Sequence, residues 1–255
     1  MTGPACQRIE RLLGAEGLAV LGRSCVAVVG LGAVGSYAVE ALARARLGRL
    51  RVVDFDVVHP SNINRQLYAT CETIGRAKVE LARQRIASIN PDCRVETLAC
   101  FADKKTAGQI LAPPVDLCID AIDSVGPKVQ LLAAADRLGV PVVSAMGAAL
   151  RTDPRAIQVS PLSQTRICPL ARQVRRQLGR LREAADPICV WSDQPTADLP
   201  DEALGQPESD PHLQRGRPRR TLGSLPTLTG IFGLVCANTA MQMLLGDAWP
   251  GQSQP

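Results

Sequence analysis

Six residues, "GLGAVG" at 30–35, constrain this chain more than any other stretch, because of what stands on either side of them. Before them, "CVAVVG" (25–30) is a β-branched run of the kind that fills a buried parallel strand. After them, 33–46 has helical composition, and "RLRVVDFD" (49–56) reads as a second strand. Strand, glycine turn and helix in this order bring backbone N–H groups and a helix N-terminus to a phosphate. Gly30, Gly32 and Gly35 leave the chain room to turn and approach. Asp54 lies 19 residues past Gly35 at the end of the second strand, where a carboxylate accepts hydrogen bonds from ribose hydroxyls. The pattern implies an adenine nucleotide.

The alternation continues. A helix is expected over 76–90, stopped by Asn90-Pro91, then strands at "RVETL", at 115–123 and at 140–146, with a helix over 125–138 between the last two. This predicts an α/β fold, a Rossmann-like, doubly wound and mostly parallel sheet with C-terminal additions and its ligand at the carboxyl ends of the strands. Residues 8–21 read as an N-terminal helix weakened by Gly14 and Gly17. Residues 1–160 are assigned to a nucleotide-binding domain and 161–255 to an extension of the same fold. Within the extension, 167–182 reads as a helix with Arg172, Arg175, Arg176, Arg180 and Arg182 and no acid, and 192–222 as a mobile loop ending in the basic knot "RGRPRR". The stretch 221–245 has no charged residue and the length of a membrane span, but Pro226, Asn238 and Gln242 dilute it. A buried strand and helix is the expectation there, with peripheral membrane association as the alternative.

Composition narrows the partners. With 3% aromatic residues, stacking of bases on exposed rings is a poor candidate for the main nucleic-acid contact, while a net charge of +5 permits an anionic partner without demanding one. The nine cysteines form no CxxC pair, which disfavours structural zinc. No apolar run of signal-peptide type opens the chain, and reduced thiols in the cytoplasm are expected.

The loop "DFDVVHPSNINRQ" (54–66) sets acids beside asparagines and an arginine. Cleaving ATP calls for cations around the polyphosphate, whereas a bound NAD needs few. Arg65, Lys78 at the start of a helix and the N-terminal Arg11 are the candidates. Asp54 takes the ribose, Asn62 and Arg65 address the phosphates, and Asp56 orients the arginine or adds to a metal shell. Asp123 closes the fourth strand, where it either holds Mg²⁺ against the phosphates or caps the next helix; Asp120, within the strand, is the weaker ligand.

"GLGAVGS", "DFDVVHPSNINRQ", "IGRAKVE", "INPDCRV" and "DAIDS" together resemble, in order and spacing, the adenylating domain of the ubiquitin-activating-enzyme-like superfamily. The resemblance spans about residues 8–160 and implies ATP-dependent adenylation of a carboxylate. It places the ribose aspartate at Asp54, the phosphate-binding residues at Asn62, Arg65 and Lys78, and the magnesium aspartate at Asp123. Arg11 matches an arginine that reaches the nucleotide of the neighbouring subunit in a homodimer.

"RLLGAEGLAVL", "RQLYAT", "DAIDSVGPK" and "TDPRAIQVSPLSQTRICPLARQVRRQL" are most similar to the tRNA threonylcarbamoyladenosine dehydratase branch. That branch implies tRNA as partner, with Arg172, Arg175, Arg176 and Arg180 as phosphate contacts, and a cysteine desulfurase system as a sulfur donor to Cys189. Position 9 is Ile where an aromatic is common in the family, and loop 192–222 diverges from it. The alternative is an activator of a ubiquitin-like sulfur carrier. A nicotinamide dehydrogenase is disfavoured, because it leaves "SNINRQ" unexplained.

Overall fold

A computed structural model describes residues 4–197 and 222–250 of the 255. The chain builds one seven-stranded sheet in the order β3-β2-β1-β4-β5-β7-β6. The strands are β1 (Cys25–Val29), β2 (Arg49–Val53), β3 (Arg94–Leu98), β4 (Leu117–Asp120), β5 (Val142–Ala145), β6 (Ile157–Pro161) and β7 (Ile188–Ser192). All neighbours pair in parallel except β6, which runs antiparallel along β7. The helices are α1 (Gln7–Arg23), α2 (Gly35–Arg44), α3 (Lys78–Ile89), α4 (Ala107–Ile110), α5 (Val125–Leu138), α6 (Pro169–Leu181) and α7 (Pro226–Leu245). The doubly wound expectation holds. Strand order reverses between β1 and β4, which opens the crevice where such sheets take their ligands.

Each central strand is buried on both faces, so alternate residues feed two cores. Val26, Val28, Leu117, Ile119 and Val143 point to one face, where α2 and α7 lie. Ala27, Val29, Cys118 and Val142 point to the other, covered by α5 and α6.

Three expectations need correction. The stretch 221–245 yields one helix and no strand: residues 222–225 are coil, and α7 takes the rest. Its length would let it cross a membrane, yet more than half of it is buried inside the molecule. Its small residues explain that packing. A Cβ added at Gly233 would stand 2.2 Å from the Val34 carbonyl, so α7 lies directly on α2 because there is no side chain between them. Second, β6 and β7 extend the sheet where sequence periodicity gave no strand. β6 is a half-exposed edge, and β7 is only five residues long. Third, α1 is kinked at Gly14 alone; Gly17 is helical and buried. The knot "RGRPRR" and most of the 192–222 loop lie outside the described residues.

Candidate active site

The glycine loop leaves β1 with Gly30 at φ +90, its N–H bonded to the Val53 carbonyl at 2.8 Å. A Cβ at Gly30 would sit 2.8 Å from the Ala121 carbonyl, and one at Gly35 would sit 1.8 Å from the Gly30 carbonyl. Only glycine at both positions lets α2 start so close to the strand it follows. At Gly32 the nearest atom to an added Cβ is Gln66 Nε2, 3.7 Å away. Ser36 secures the arrangement from α2. Its Oγ donates to the Gly32 carbonyl at 2.7 Å and accepts from Leu67 N at 3.2 Å, which ties the glycine loop to the 54–78 segment. Sequence reasoning missed Ser36, although "GLGAVGS" contains it.

Asp54 follows β2. Its Oδ2 accepts from Leu31 N at 2.7 Å and its Oδ1 from Asp56 N at 2.9 Å. Both oxygens therefore organise the backbone of the crevice and retain lone pairs for ribose hydroxyls. Burial raises the Asp54 pKa above the ordinary carboxylate value; Lys78 and the two N–H donors offset only part of this.

Asp56 turns to Lys78 and not to Arg65. Lys78 opens α3, its backbone N donates to the Asp56 carbonyl at 3.1 Å, and its Nζ lies 2.5 Å from Asp56 Oδ2. The start of the helix thus sets this lysine opposite the acid. His59 Nε2 lies 3.3 Å from the other oxygen of Asp56. Arg65 instead folds onto its own turn, where Nη1 donates to the Ser61 carbonyl and to Asn64 Oδ1, both at 2.8 Å. Asn62 is buried, and its Oδ1 accepts from His59 N at 3.2 Å. Of the two roles expected for Asp56, orienting Arg65 gives way to a pairing with Lys78.

Asp123 is exposed in the loop after β4, beside the glycine loop that packs on Ala121. Ser124 occupies the N-cap position of α5, one residue after Asp123. Among the described residues no cluster of three metal-ligating side chains exists. A lone carboxylate suits Mg²⁺, which keeps several waters and takes its other ligands from substrate phosphates.

The remaining candidates divide. Arg11 is exposed on α1 and makes no ion pair among the described residues. Arg172, Arg176 and Arg180 are exposed on α6, but Arg175 turns inward. Its Nη1 donates to the carbonyls of Leu162 and Thr165, at 3.0 and 2.9 Å, and to Thr165 Oγ1. Through Nη1, Arg175 ties α6 to the preceding turn. Cys189 lies in β7 with no exposed surface, and burial pushes its thiol far above the usual range. In this conformation the site does not fit a sulfur acceptor.

Two buried groups were not anticipated in the roles they take, although Asp120 was weighed as a weaker ligand. Asp120 and Lys128 form an ion pair of 2.6 Å with neither side chain exposed. Arg151, after β5, is 2% exposed and donates to the Gln194 carbonyl at 3.0 Å and to the Gly147 carbonyl, while its buried Nη2 has no hydrogen-bond partner among the described residues. Lys128 was legible only as a cation inside a helix with a buried face.

The ThiF family matches residues 6–254. A curated tRNA threonylcarbamoyladenosine dehydratase of Bacillus subtilis (strain 168) is 44% identical over 173 residues, 68% of each chain. One of the same name from Escherichia coli (strain K12) is 34% identical over 255 residues, 93% of this chain and 92% of that one. The crystal structure of the E. coli tRNA N6-threonylcarbamoyladenosine dehydratase TcdA in complex with ATP aligns with a TM-score of 0.84 at 32% identity, covering 97% of this chain and 98% of that one.

Proposed function

This chain belongs to the ThiF family, and from that premise we propose that it is an ATP-dependent tRNA threonylcarbamoyladenosine dehydratase. The observation that carries the reading is the Asp54–Asp56–Lys78 arrangement within a fold similar end to end to an ATP-bound dehydratase. Asp54 has lone pairs left for a ribose. Two residues further on, the Asp56 carboxylate, which solvent still reaches, holds Lys78.

The substrate carries a threonine carboxylate, a poor electrophile because its oxygen leaves badly. That carboxylate attacks the α-phosphate of ATP; the bond to pyrophosphate breaks, and an acyl-adenylate forms. Lys78 and Arg65 balance the charge that develops on the phosphates, and each charge-assisted hydrogen bond contributes about 1.5–3 kcal/mol. For Arg65 this requires leaving the Ser61 carbonyl and Asn64, both exposed neutral partners. The neighbouring carbamoyl group then attacks the activated carbonyl and closes a ring. AMP leaves with the carboxylate oxygen, so the nucleoside has lost the elements of water. Intramolecular attack benefits from an effective molarity on the order of 10⁵–10⁸ M, and no protein nucleophile is required. The burial of Cys189 is consistent with a route that bypasses it.

Asp123 would hold Mg²⁺, which when bound neutralises phosphate charge. A homodimer would deliver Arg11 to the partner's nucleotide; the exposed Leu12 beside it supports an apolar contact on that helix. Arg172, Arg176 and Arg180 would meet tRNA phosphates, so affinity for tRNA falls steeply with salt.

Release of AMP and pyrophosphate from ATP tests the reading. It should require tRNA bearing threonylcarbamoyladenosine; equal release with tRNA lacking that nucleoside would contradict it.

A further inference from the structure

A lysine and an aspartate without exposed surface are an expensive way to fill a core, since two apolar side chains of similar volume hold a fold at least as well. This pair is fully connected. Lys128 Nζ donates to Asp120 Oδ2 at 2.6 Å, to Ser144 Oγ at 3.2 Å and to the Ala145 carbonyl at 3.0 Å, which uses all three ammonium protons. Ser144 Oγ donates to Asp120 Oδ2 at 2.6 Å. The last contact leaves the core: Ile122 N donates to Asp120 Oδ1 at 3.1 Å.

Place in the fold gives the cluster its meaning. Asp120 ends β4, Ser144 and Ala145 end β5, and Lys128 sits in the first turn of α5. Asp120 and Ser144 project to the same face of the sheet, as Cys118 and Val142 do two residues before them. Ile122 is the neighbour of Asp123, and Ala121 before it carries the carbonyl against which Gly30 packs. An apolar pair would fill the same space but could slide. Hydrogen bonds are directional, and this carboxylate fixes the orientation of one particular N–H in the loop that carries Asp123.

We propose that Asp120, Lys128 and Ser144 are positioning residues, a buried pin that joins the ends of β4 and β5 and sets Asp123 against the phosphate end of the crevice. The inference rests on the adenylation reading, in which Asp123 faces a metal–nucleotide complex. Outer partners of this kind typically change metal affinity or activity by about 10–100-fold when removed.

The test compares the wild type with Asp120→Leu/Lys128→Met, which replaces the pair without stranding a charge, and with Ser144→Ala, which keeps the pair. Calorimetry measures ATP binding with and without Mg²⁺, and urea unfolding is run alongside. The double variant should fold as stably as the wild type and bind metal-free ATP unchanged. The strengthening of ATP binding by Mg²⁺ should fall at least about tenfold. Ser144→Ala should lose roughly threefold of that strengthening, the worth of a single hydrogen bond. Wild-type Mg²⁺ strengthening in the double variant overturns the proposal; if that variant does not fold, wild-type strengthening in Ser144→Ala does so. Absence of any Mg²⁺ effect in the wild type itself would instead remove the metal–nucleotide reading beneath it.

Discussion

Two lysine–aspartate pairs of nearly equal length stand at the ends of β2 and β4, with β1 between them, and they behave as opposites. Lys78 and Asp56 are 2.5 Å apart at the mouth of the crevice, with Asp56 30% exposed. Lys128 and Asp120 are 2.6 Å apart and wholly enclosed. Where water reaches one partner, an incoming polyphosphate can take over the lysine while the released carboxylate is solvated. Where it does not, neither partner can leave, and the pair acts as a fixed strut. Distance alone would have called them the same; solvent decides which one exchanges and which one holds.

The contrast is broken most directly by removing each lysine. Lys128→Met strands a buried carboxylate and should lower unfolding stability by about 3–5 kcal/mol in a urea titration. Lys78→Met leaves Asp56 in contact with water and should lower it by less than about 1 kcal/mol. Equal losses would show that both pairs are struts.

Activity should rank the two the other way for a given stability. Folded Lys78→Met should lose about 10²–10³-fold in turnover, as when a charge-stabilising donor is removed from a reaction centre. A rate within a few-fold of wild type would mean that Lys78 stays with Asp56 throughout.

Asp54 sharpens the picture because it is half-buried and lies at the end of β2, where the crevice opens. Its raised pKa has two consequences of opposite sign. The native state binds this proton more tightly than the unfolded chain, so ionising Asp54 costs stability as pH rises from the ordinary carboxylate range through the raised value. Ribose binding needs the ionised form, so ATP affinity should fall by about tenfold as pH drops through that same window. Calorimetry across acid pH checks it. Asp54→Asn should flatten the dependence, and a slope that survives this substitution assigns it elsewhere.

The smallest effect belongs to Cys189, which lies near the enclosed pair and whose thiol feels both of its charges. Cys189→Ala should keep most dehydration activity. Loss of turnover with folding intact would return a covalent role to a residue that the fold conceals.

The sequence made the first five strands legible because their signals are local: β-branched runs, glycine turns and helix stops within a few residues of one another. Asp54 and the glycines were legible for the same reason, since their roles follow from backbone geometry close by in the chain. Asp56 was assigned to the wrong cation because its partner stands 22 residues away, and only the start of α3 brings it back. Arg175 looked like its neighbours on a basic helix; its direction depends on the carbonyls of Leu162 and Thr165 in a separate turn. β6 was missed because an edge strand with polar residues outward carries little periodic signal, whereas β7, between β5 and β6, is a short buried run that β6 covers. The stretch of α7 is long and uncharged enough for a membrane, and only its scattered polar residues favoured burial; the closeness of Gly233 to Val34 shows α7 packed on the molecule itself.

The central claim is chemical, and nucleoside mass spectrometry tests it most directly. The protein is incubated with ATP, Mg²⁺ and tRNA carrying threonylcarbamoyladenosine, beside an Arg65→Ala control. The account predicts that the nucleoside loses the mass of one water with wild-type protein and ATP together, and not with either omitted or with the variant. An unchanged nucleoside, from protein that still exchanges pyrophosphate with ATP, would leave the adenylating site standing and contradict the substrate assigned to it.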